Sequence, residues 1–445
     1  MEKNMKLYPV LANNYALVRQ YGNSIVFPLG YEKSEQYLTP QYEYVTLNRA
    51  AAEILSFCDG NHTIAKIISD LCLIYSENSC DISDFVQDFL QESAEKGHVL
   101  FCTSKPTYVP KMFGDFSMIT PINACLEITK QCPLRCRHCY NESGTVRTQE
   151  MCLSEIKIVL DKLSNLGIQK LMITGGEPTS RTDFIDIVEY ASSRFVGVSI
   201  ASNGYLITKN FARALSKYKN KIVVQISIDG TEEHHNKIRG VHDSYEKALA
   251  AIRYLSEFKI PVIAATTLNP ENISDMEEVA ATVHNAGALQ LTFGLTASQG
   301  RARKNHLAQR IDANQFISRA LDLKHKYLGH GLFVSIEEDT LSKIAATRSS
   351  RCGAGVSQIT IRENGDVSPC VCFFYVYGNI LRDDVASIFD PKKVSRFNSL
   401  PSPCPEYCGD CEELDNCLHC PAHAFDSPKQ TCKWKENFYK VMNGE

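Results

Sequence analysis

The chain lacks the marks of several whole classes of protein. Its first residues, MEKNMKLYPVLANNYALV, contain no uninterrupted apolar core of the kind a secretory signal needs. No stretch approaches the roughly 18 apolar residues that span a bilayer. With 47 basic against 51 acidic residues and a formal charge of −4, it carries no basic field for nucleic acid and no polybasic membrane patch. No internal repeat is visible. A cytoplasmic protein with neither nucleic acid nor membrane as partner is therefore expected. Apolar residues at 44% and charged residues at 22% are ordinary for a folded soluble chain, and 445 residues leave room for two or three domains. Cysteine is present in excess. There are 18, and nine of them fall from Cys352 onward. In a small secreted domain that density would indicate disulfides; in a long chain without a signal it favours metal ligation.

Three textures divide the chain. Over residues 1–102, short apolar runs (LYPVL, YALVRQ, SIVFPL) broken by Asn-Asn and Gly-Asn predict a small antiparallel sheet. Amphipathic helices then follow over Leu47–Phe57, Thr63–Tyr75 and Ile82–Glu95, with a closing strand at His98–Phe101, a winged-helix pattern. Residues 103–119, with Pro106, Pro110 and Gly114, read as a linker. Over residues 120–345, strand-like runs at Ala124–Ile128, Lys170–Thr174, Val196–Ala201, Ile222–Ile228, Val262–Thr267 and Gln290–Phe293 alternate with helical patterns. That alternation predicts an α/β fold, a partial (β/α)6 TIM-like barrel of parallel strands whose active site lies at the C-terminal strand ends. Residues 346–445 are rich in Cys, Pro and Gly and show little periodicity, so bound metal is expected to supply much of their folding.

The chemistry concentrates after the first barrel strand. Cys132, Cys136 and Cys139 are spaced three and two residues apart on one loop and are followed by Tyr140. Three thiolates so placed can wrap one cubane and leave one iron open to a small chelating ligand. Structural zinc sites usually draw four ligands from two pairs, which a lone loop of three does not provide.

Those residues resemble the CxxxCxxC-aromatic signature of the radical S-adenosylmethionine (SAM) superfamily, and companion motifs stand at successive strand ends. Gly175-Gly176-Glu177-Pro178 resembles the family's GGEP motif, with Glu177 a candidate partner for the methionine amino group. Ser202-Asn203 follows strand three, Ser227-Ile228-Asp229 follows strand four, and Arg239 lies beyond it. The resemblance implies that these groups line the ribose and carboxylate of SAM, with Arg239 facing the carboxylate, and that Gly294–Gly300 closes near the adenine. It implies a [4Fe–4S] cluster that reductively cleaves SAM to a 5′-deoxyadenosyl radical, which abstracts hydrogen from an unactivated C–H bond. No side chain is singled out as a general base.

The C-terminal cysteines resemble the SPASM extension of peptide-modifying radical enzymes. The family pattern puts Cys408, Cys411, Cys417 and Cys432 on one auxiliary [4Fe–4S] cluster, and Cys352, Cys370 and Cys420 on another. Two departures stand out: the last spacing is two residues where the family usually has three, and the fourth ligand of the second set is open, with Cys372 and Cys404 both available. The alternative is a zinc ribbon built on Cys408-x2-Cys411 and Cys417-x2-Cys420. Cys58, Cys72, Cys80, Cys102, Cys125 and Cys152 read as structural thiols.

The N-terminal stretch Thr46–Leu55, with Cys58-Asp59-Gly60-Asn61-His62-Thr63-Ile64, resembles the peptide-recognition domains similar to the carrier protein of pyrroloquinoline quinone biosynthesis. In that family an edge strand pairs with the leader of a precursor peptide. The alternative, a winged-helix DNA binder, fits poorly because Thr63–Tyr75 holds only Lys66 as a basic residue. The order of the three regions resembles sactionine synthases of the subtilosin type, which join a cysteine sulfur to the α-carbon of another residue. The resemblance thus implies thioether formation in a ribosomal peptide, with an external one-electron donor such as flavodoxin or ferredoxin. Carbon–carbon cross-linking, epimerisation and sulfatase maturation are alternatives on the same scaffold, and a non-catalytic Fe–S protein is a further one.

Overall fold

The computed structural model describes residues 4–29, 44–76, 79–145, 149–308, 311–337, 353–417 and 420–444. Cys352, a candidate ligand, lies outside the described residues. Among the described residues no helix is long and apolar enough to cross a membrane.

The N-terminal unit runs β1 (Tyr8–Leu11), β2 (Tyr15–Arg19), β3 (Ser24–Pro28), β4 (Val45–Leu47), α1 (Arg49–Ser56), α2 (Ile64–Tyr75), α3 (Ser79–Glu95), β5 (Val99–Cys102) and β6 (Lys111–Gly114). Helices α1 and α2 start where a side chain can satisfy the first free amides: Asn48 accepts from Ala51 N and Thr63 from Lys66 N. The strands sort differently from the one small antiparallel sheet expected. β1 leaves its neighbours and pairs antiparallel with β5, while β4, β3, β2 and β6 form a separate sheet in that order. The supposed linker is thus partly structural, since β6 within it lies parallel to β2. Period-two alternation gives this sheet two apolar faces. Leu17 and Val26 pack under the three helices, and Ala16, Val18, Ile25 and Phe27 pack on Phe113 and Ile122.

The barrel follows: β7 (Asn123–Glu127), α4 (Leu153–Asn165), β8 (Lys170–Thr174), α5 (Phe184–Arg194), β9 (Gly197–Ser202), α6 (Lys209–Leu215), β10 (Ile222–Ser227), α7 (Glu232–Arg239), α8 (Ser244–Glu257), β11 (Val262–Leu268), α9 (Met276–Ala286) and β12 (Gln290–Leu295). Helices α10 (Gly300–Lys304) and α11 (Ala313–Tyr327) precede β13 (Phe333–Ile336). Strands β7 to β13 are parallel and adjacent in sequence order. On each, one alternate set (Leu126, Ile173, Ile200, Ile226, Ala264, Phe293) joins a continuous apolar core with the covering helices. The intervening positions, Cys125, Met172, Ser199, Gln225, Ala265 and Thr292, fall on the concave face by alternation.

The six expected strands are present, and both flanks extend further. β13 adds to β12, and β14 (Gln358–Ile361) adds parallel to β7, bringing β15 (Asp366–Ser368) and β16 (Gly378–Asn379) with it. The C-terminal region also has more apolar packing than its sequence texture suggests. Phe373, Phe397, Phe425 and Phe438 meet with centroids 4.9–5.7 Å apart, and Trp434 stacks on Phe438. Metal is therefore not the sole source of order there.

Candidate functional site at the C-terminal strand ends

The segment after β7 is a loop tied down by backbone pairing. Lys130 N and Thr129 Oγ1 donate to Glu150, Cys132 N donates to Gly144 O at 3.0 Å, and Gly144 N returns a bond to Lys130 O at 2.9 Å. Arg135 N and Arg137 N donate to the carbonyls of Arg239 and Ile238, the last turn of α7. Arg301 of α10 reaches across to Cys136 O at 2.7 Å and Ser143 O at 3.0 Å. The three thiols are thereby gathered: Cys132 and Cys136 are buried with Leu134, and Cys139, Tyr205 and Val241 pack against them. Burial pushes the Cys132 thiol up to about 12, and Cys136 and Cys139 add to that. Buried thiols of this kind hold their protons until a metal displaces them.

The glycines of the second motif are required by close approach. Gly175 has φ +146°, and a Cβ there would collide with Thr129 O; one on Gly176 would collide with Gln131 O. In their absence Gly176 N and Glu177 N donate to those two carbonyls at 2.6 and 2.7 Å. Pro178 then opens a short 3-10 turn. Glu177 is fully buried. Its Oε1 accepts from Thr179 N, Thr179 Oγ1 and Ser202 Oγ, while Oε2 accepts from Asn203 N at 2.7 Å. Burial raises this carboxyl, and the hydrogen bonds from Thr179, Asn203 and Ser202 oppose the rise. Oε1 is saturated, while Oε2, with one such donor, retains accepting capacity. Asn203 Nδ2 also lies 3.6 Å from Cys132 Sγ.

Asp229 and Arg239 form a buried pair at 2.7 Å, and Arg239 lies 3.8 Å from Cys136 Sγ. The sequence reading aimed Arg239 at a ligand carboxylate; in the structure it already faces the Asp229 carboxylate. Thr267 N donates to Asp229 Oδ1, Asn272 donates to its backbone carbonyl, and Asp229 N donates to His235 Nδ1. Burial pushes the Asp229 carboxyl up, but the Arg239 guanidinium, with the hydrogen bond from Thr267 N, outweighs it and holds the acid low. Burial lowers His138 to about 4 and His235 to about 3, so both imidazoles are neutral at pH 7. Ser227 closes β10 beside these groups. Gly300, at the end of the segment assigned to the adenine, lies against the carbonyls of Cys139 and Tyr140, and Gly294 leaves room for the Glu337 carboxylate.

Several members of the site carried no sequence signal of their own. His138 lies inside the cysteine motif, 3.6 Å from Asp229, and its spacing role hid its chemistry. Asn272 and Glu271 (3.0 Å from Arg137) come from a distant loop and Arg301 from α10, and only the fold brings them in. Among the described residues, His138 Nδ1 and Arg239 Nε are buried without a hydrogen-bond partner. Three thiols gathered on one loop and the open acceptor on Glu177 fit a cubane with a chelated amino-acid ligand.

The C-terminal cysteines fall into two neighbourhoods. Cys408 is raised chiefly by burial, with Cys404, Cys411 and Cys432 adding. Cys417 is raised to about 12 by burial, with Cys432 and Cys411 again among its neighbours. Cys404 thus lies beside Cys408, whose backbone N–H donates to the Cys404 carbonyl. Cys372 instead lies near Cys125 and Tyr140, beside the first barrel strand. Cys370 and Cys420 are half-buried against the main core. Among the described residues no three donors converge as a single-ion site does.

Comparison with known proteins gives three family matches along the chain. Residues 126–283 match the radical SAM superfamily, residues 352–412 an iron–sulfur cluster-binding domain, and residues 37–99 the coenzyme PQQ synthesis protein D. The chain is 28% identical to the antilisterial bacteriocin subtilosin biosynthesis protein AlbA of Bacillus subtilis, over 91% of this chain and 92% of that protein. It is 32% identical to the sporulation killing factor maturation protein SkfB of the same organism, over 63% and 68% respectively. The mycofactocin maturase MftC of Mycobacterium tuberculosis is 29% identical over 69% of this chain and 81% of its own. In fold, the chain is similar to Streptococcus suis SuiB bound to the precursor peptide SuiA, with a TM-score of 0.65, 13% identity and coverage of 95% and 97%.

Proposed function

The chain belongs to the radical SAM superfamily, and we propose that it matures a ribosomally synthesised precursor peptide by forming cysteine sulfur-to-carbon thioether cross-links. It is a radical SAM enzyme whose cofactors are SAM and [4Fe–4S] clusters. When bound, these supply one-electron cleavage of the sulfonium and hydrogen abstraction from an unactivated C–H bond.

The chain's own residues have the following roles in this reading. Cys132, Cys136 and Cys139 hold the radical cluster. Glu177 Oε2 takes the methionine amino group, while Ser202 and Asn203 fix the Glu177 carboxylate. Asp229 holds Arg239 against Cys136, so that a cation stands beside the cluster thiolates. Leu134, Tyr205 and Val241 keep water off the thiols. Cys408, Cys411, Cys417 and Cys432 hold one auxiliary cluster, and Cys352, Cys370 and Cys420 the other. The N-terminal unit binds the precursor leader, and a flavodoxin or ferredoxin supplies electrons. β4 supports the leader assignment: among the described residues it is an edge strand, paired only with β3, and its Val45 and Thr46 are exposed.

The observation that carries the reading is the joining of the three-cysteine loop to Glu177 through Gln131 and Asn203, in a chain that also presents that edge strand. Anaerobically reconstituted protein is expected to contain about twelve iron and twelve sulfide, three cubanes' worth. Incubation with SAM, reductant and a cysteine-containing peptide encoded beside the gene is expected to remove ~2 mass units per cross-link. Unchanged peptide mass with solvent deuterium uptake would replace thioether formation by epimerisation. Iron near four per chain with stoichiometric zinc would remove the auxiliary clusters.

A further inference from the structure

An ion pair that none of the motifs above includes sits at the seam between the barrel and the C-terminal region. Register places it there. β14 pairs with β7 so that Ile361 stands opposite Leu126, and the next residues on each strand are Arg362 and Glu127. Glu127 is 1% exposed and Arg362 7%. One guanidinium nitrogen lies 3.1 Å from both carboxylate oxygens. Glu127 Oε1 also accepts from Tyr140 Oη and Asn141 Nδ2 at 3.2 Å, two residues of the radical-cluster loop.

Arg362 spends its remaining donors on one backbone segment. They reach Cys370 O at 3.0 Å, Val371 O at 3.0 Å and Phe373 O at 3.3 Å, and Nε reaches Ser368 Oγ at 3.3 Å. All five N–H groups of the guanidinium are thereby used. Phe374 covers its face at 4.4 Å. A buried ion pair is weak grounds for stability, because desolvating two charges offsets most of their attraction. The concentration of donors on a cysteine-bearing loop calls for a different account.

We propose that Arg362 and Glu127 are a positioning pair that fixes the Cys370–Phe373 loop against the radical-cluster loop and sets the reduction potential of the auxiliary cluster held by Cys370. Because peptides are trans, the carbonyls of Cys370, Val371 and Phe373 that face Arg362 turn the N–H groups of Val371, Cys372 and Phe374 to the opposite side. A cation held 3.0 Å from the backbone of Cys370 favours the more negative, reduced state of a cluster on that cysteine and would raise its potential, while the Glu127 charge opposes it. The pair also joins, through Tyr140, the radical-cluster loop to the loop that carries Cys370. The inference rests on the assignment of Cys370 as a ligand.

The test uses full-length protein carrying Cys132→Ala, Cys136→Ala and Cys139→Ala, so that only auxiliary clusters give an iron signal. In that background Cys370→Ala is expected to lower iron by about four per chain; unchanged iron would remove the ligand assignment itself, and with it the inference. With the assignment standing, redox titration followed by electron paramagnetic resonance separates the effects. Glu127→Gln, which is isosteric, is expected to shift one auxiliary midpoint upward, and Arg362→Met to shift the same midpoint downward. Arg362→Lys, which keeps the charge and loses the fork, is expected to restore most of the shift. Loosening of structure alone would move both variants the same way or broaden both signals, and that result, or midpoints equal to the parent's, would overturn the proposal. If Arg362→Met fails to fold, the direction of the Glu127→Gln shift decides it.

Discussion

The two cysteine-bearing regions are held in different ways. The loop of Cys132, Cys136 and Cys139 is fixed from all sides by protein: Gly144 and Lys130 close it, the end of α7 pairs with it, and Arg301 and Glu150 clamp it. The segment from Cys404 to Cys432 is built from short helices, Pro405–Cys408, Leu414–Cys417 and Pro421–Phe425, laid over an aromatic cluster. Helices of one turn have no stability of their own. The radical loop is therefore shaped before it receives a ligand, whereas the C-terminal loops need their ligand to complete them.

The sharpest way to break this contrast is to remove iron from reconstituted protein and follow amide exchange. Residues 404–432 are expected to lose most of their protection, because structural metal binding there is folding energy. Residues 128–144 are expected to keep theirs; equal loss in both would end the distinction. Next in size is Phe438→Ala, which removes the centre of the aromatic cluster. It is expected to lower stability by about 3–5 kcal/mol in denaturant titration while leaving the iron of the radical cluster in place. Gly176→Ala forces a Cβ onto Gln131 O, so the loop must shift by enough to cost roughly 1–3 kcal/mol. SAM affinity measured by calorimetry is expected to fall while iron content is retained.

The smallest effect tests how the start of α5 supports the radical loop. Arg181 donates to Ile128 O and Met151 O and pairs with Asp183 at 2.7 Å. The hydrogen bond from Arg181 holds the Asp183 carboxyl below its ordinary value. The folded state thus binds that proton less readily than the unfolded chain. The resulting stability is fully present above the unfolded value near 3.9 and is lost as pH falls through the lower folded value. Asp183→Asn is expected to remove this part of the acid sensitivity and, because the pair is partly exposed, to cost about 0.5–1 kcal/mol at neutral pH.

Much of this was legible from local pattern. Alternation located the six barrel strands within two residues, as with Lys170–Thr174, because a buried parallel strand must be apolar and bounded by turns. The cysteine spacing and the strand-end glycines were equally visible, since both are short-range requirements. β1 was misassigned to its sequence neighbours because its partner β5 lies some ninety residues on, and β6 was hidden among prolines.

The sequence alone determined the chemistry available: three thiols on one loop, glycines where backbones must touch, and a second store of cysteines. Tertiary structure decided which charges meet. Arg239 meets Asp229, and Arg362 found Glu127 from 235 positions away. A charge in a low-dielectric interior pairs with whatever the fold brings within 3–4 Å, and strand register fixes that distance where sequence separation cannot.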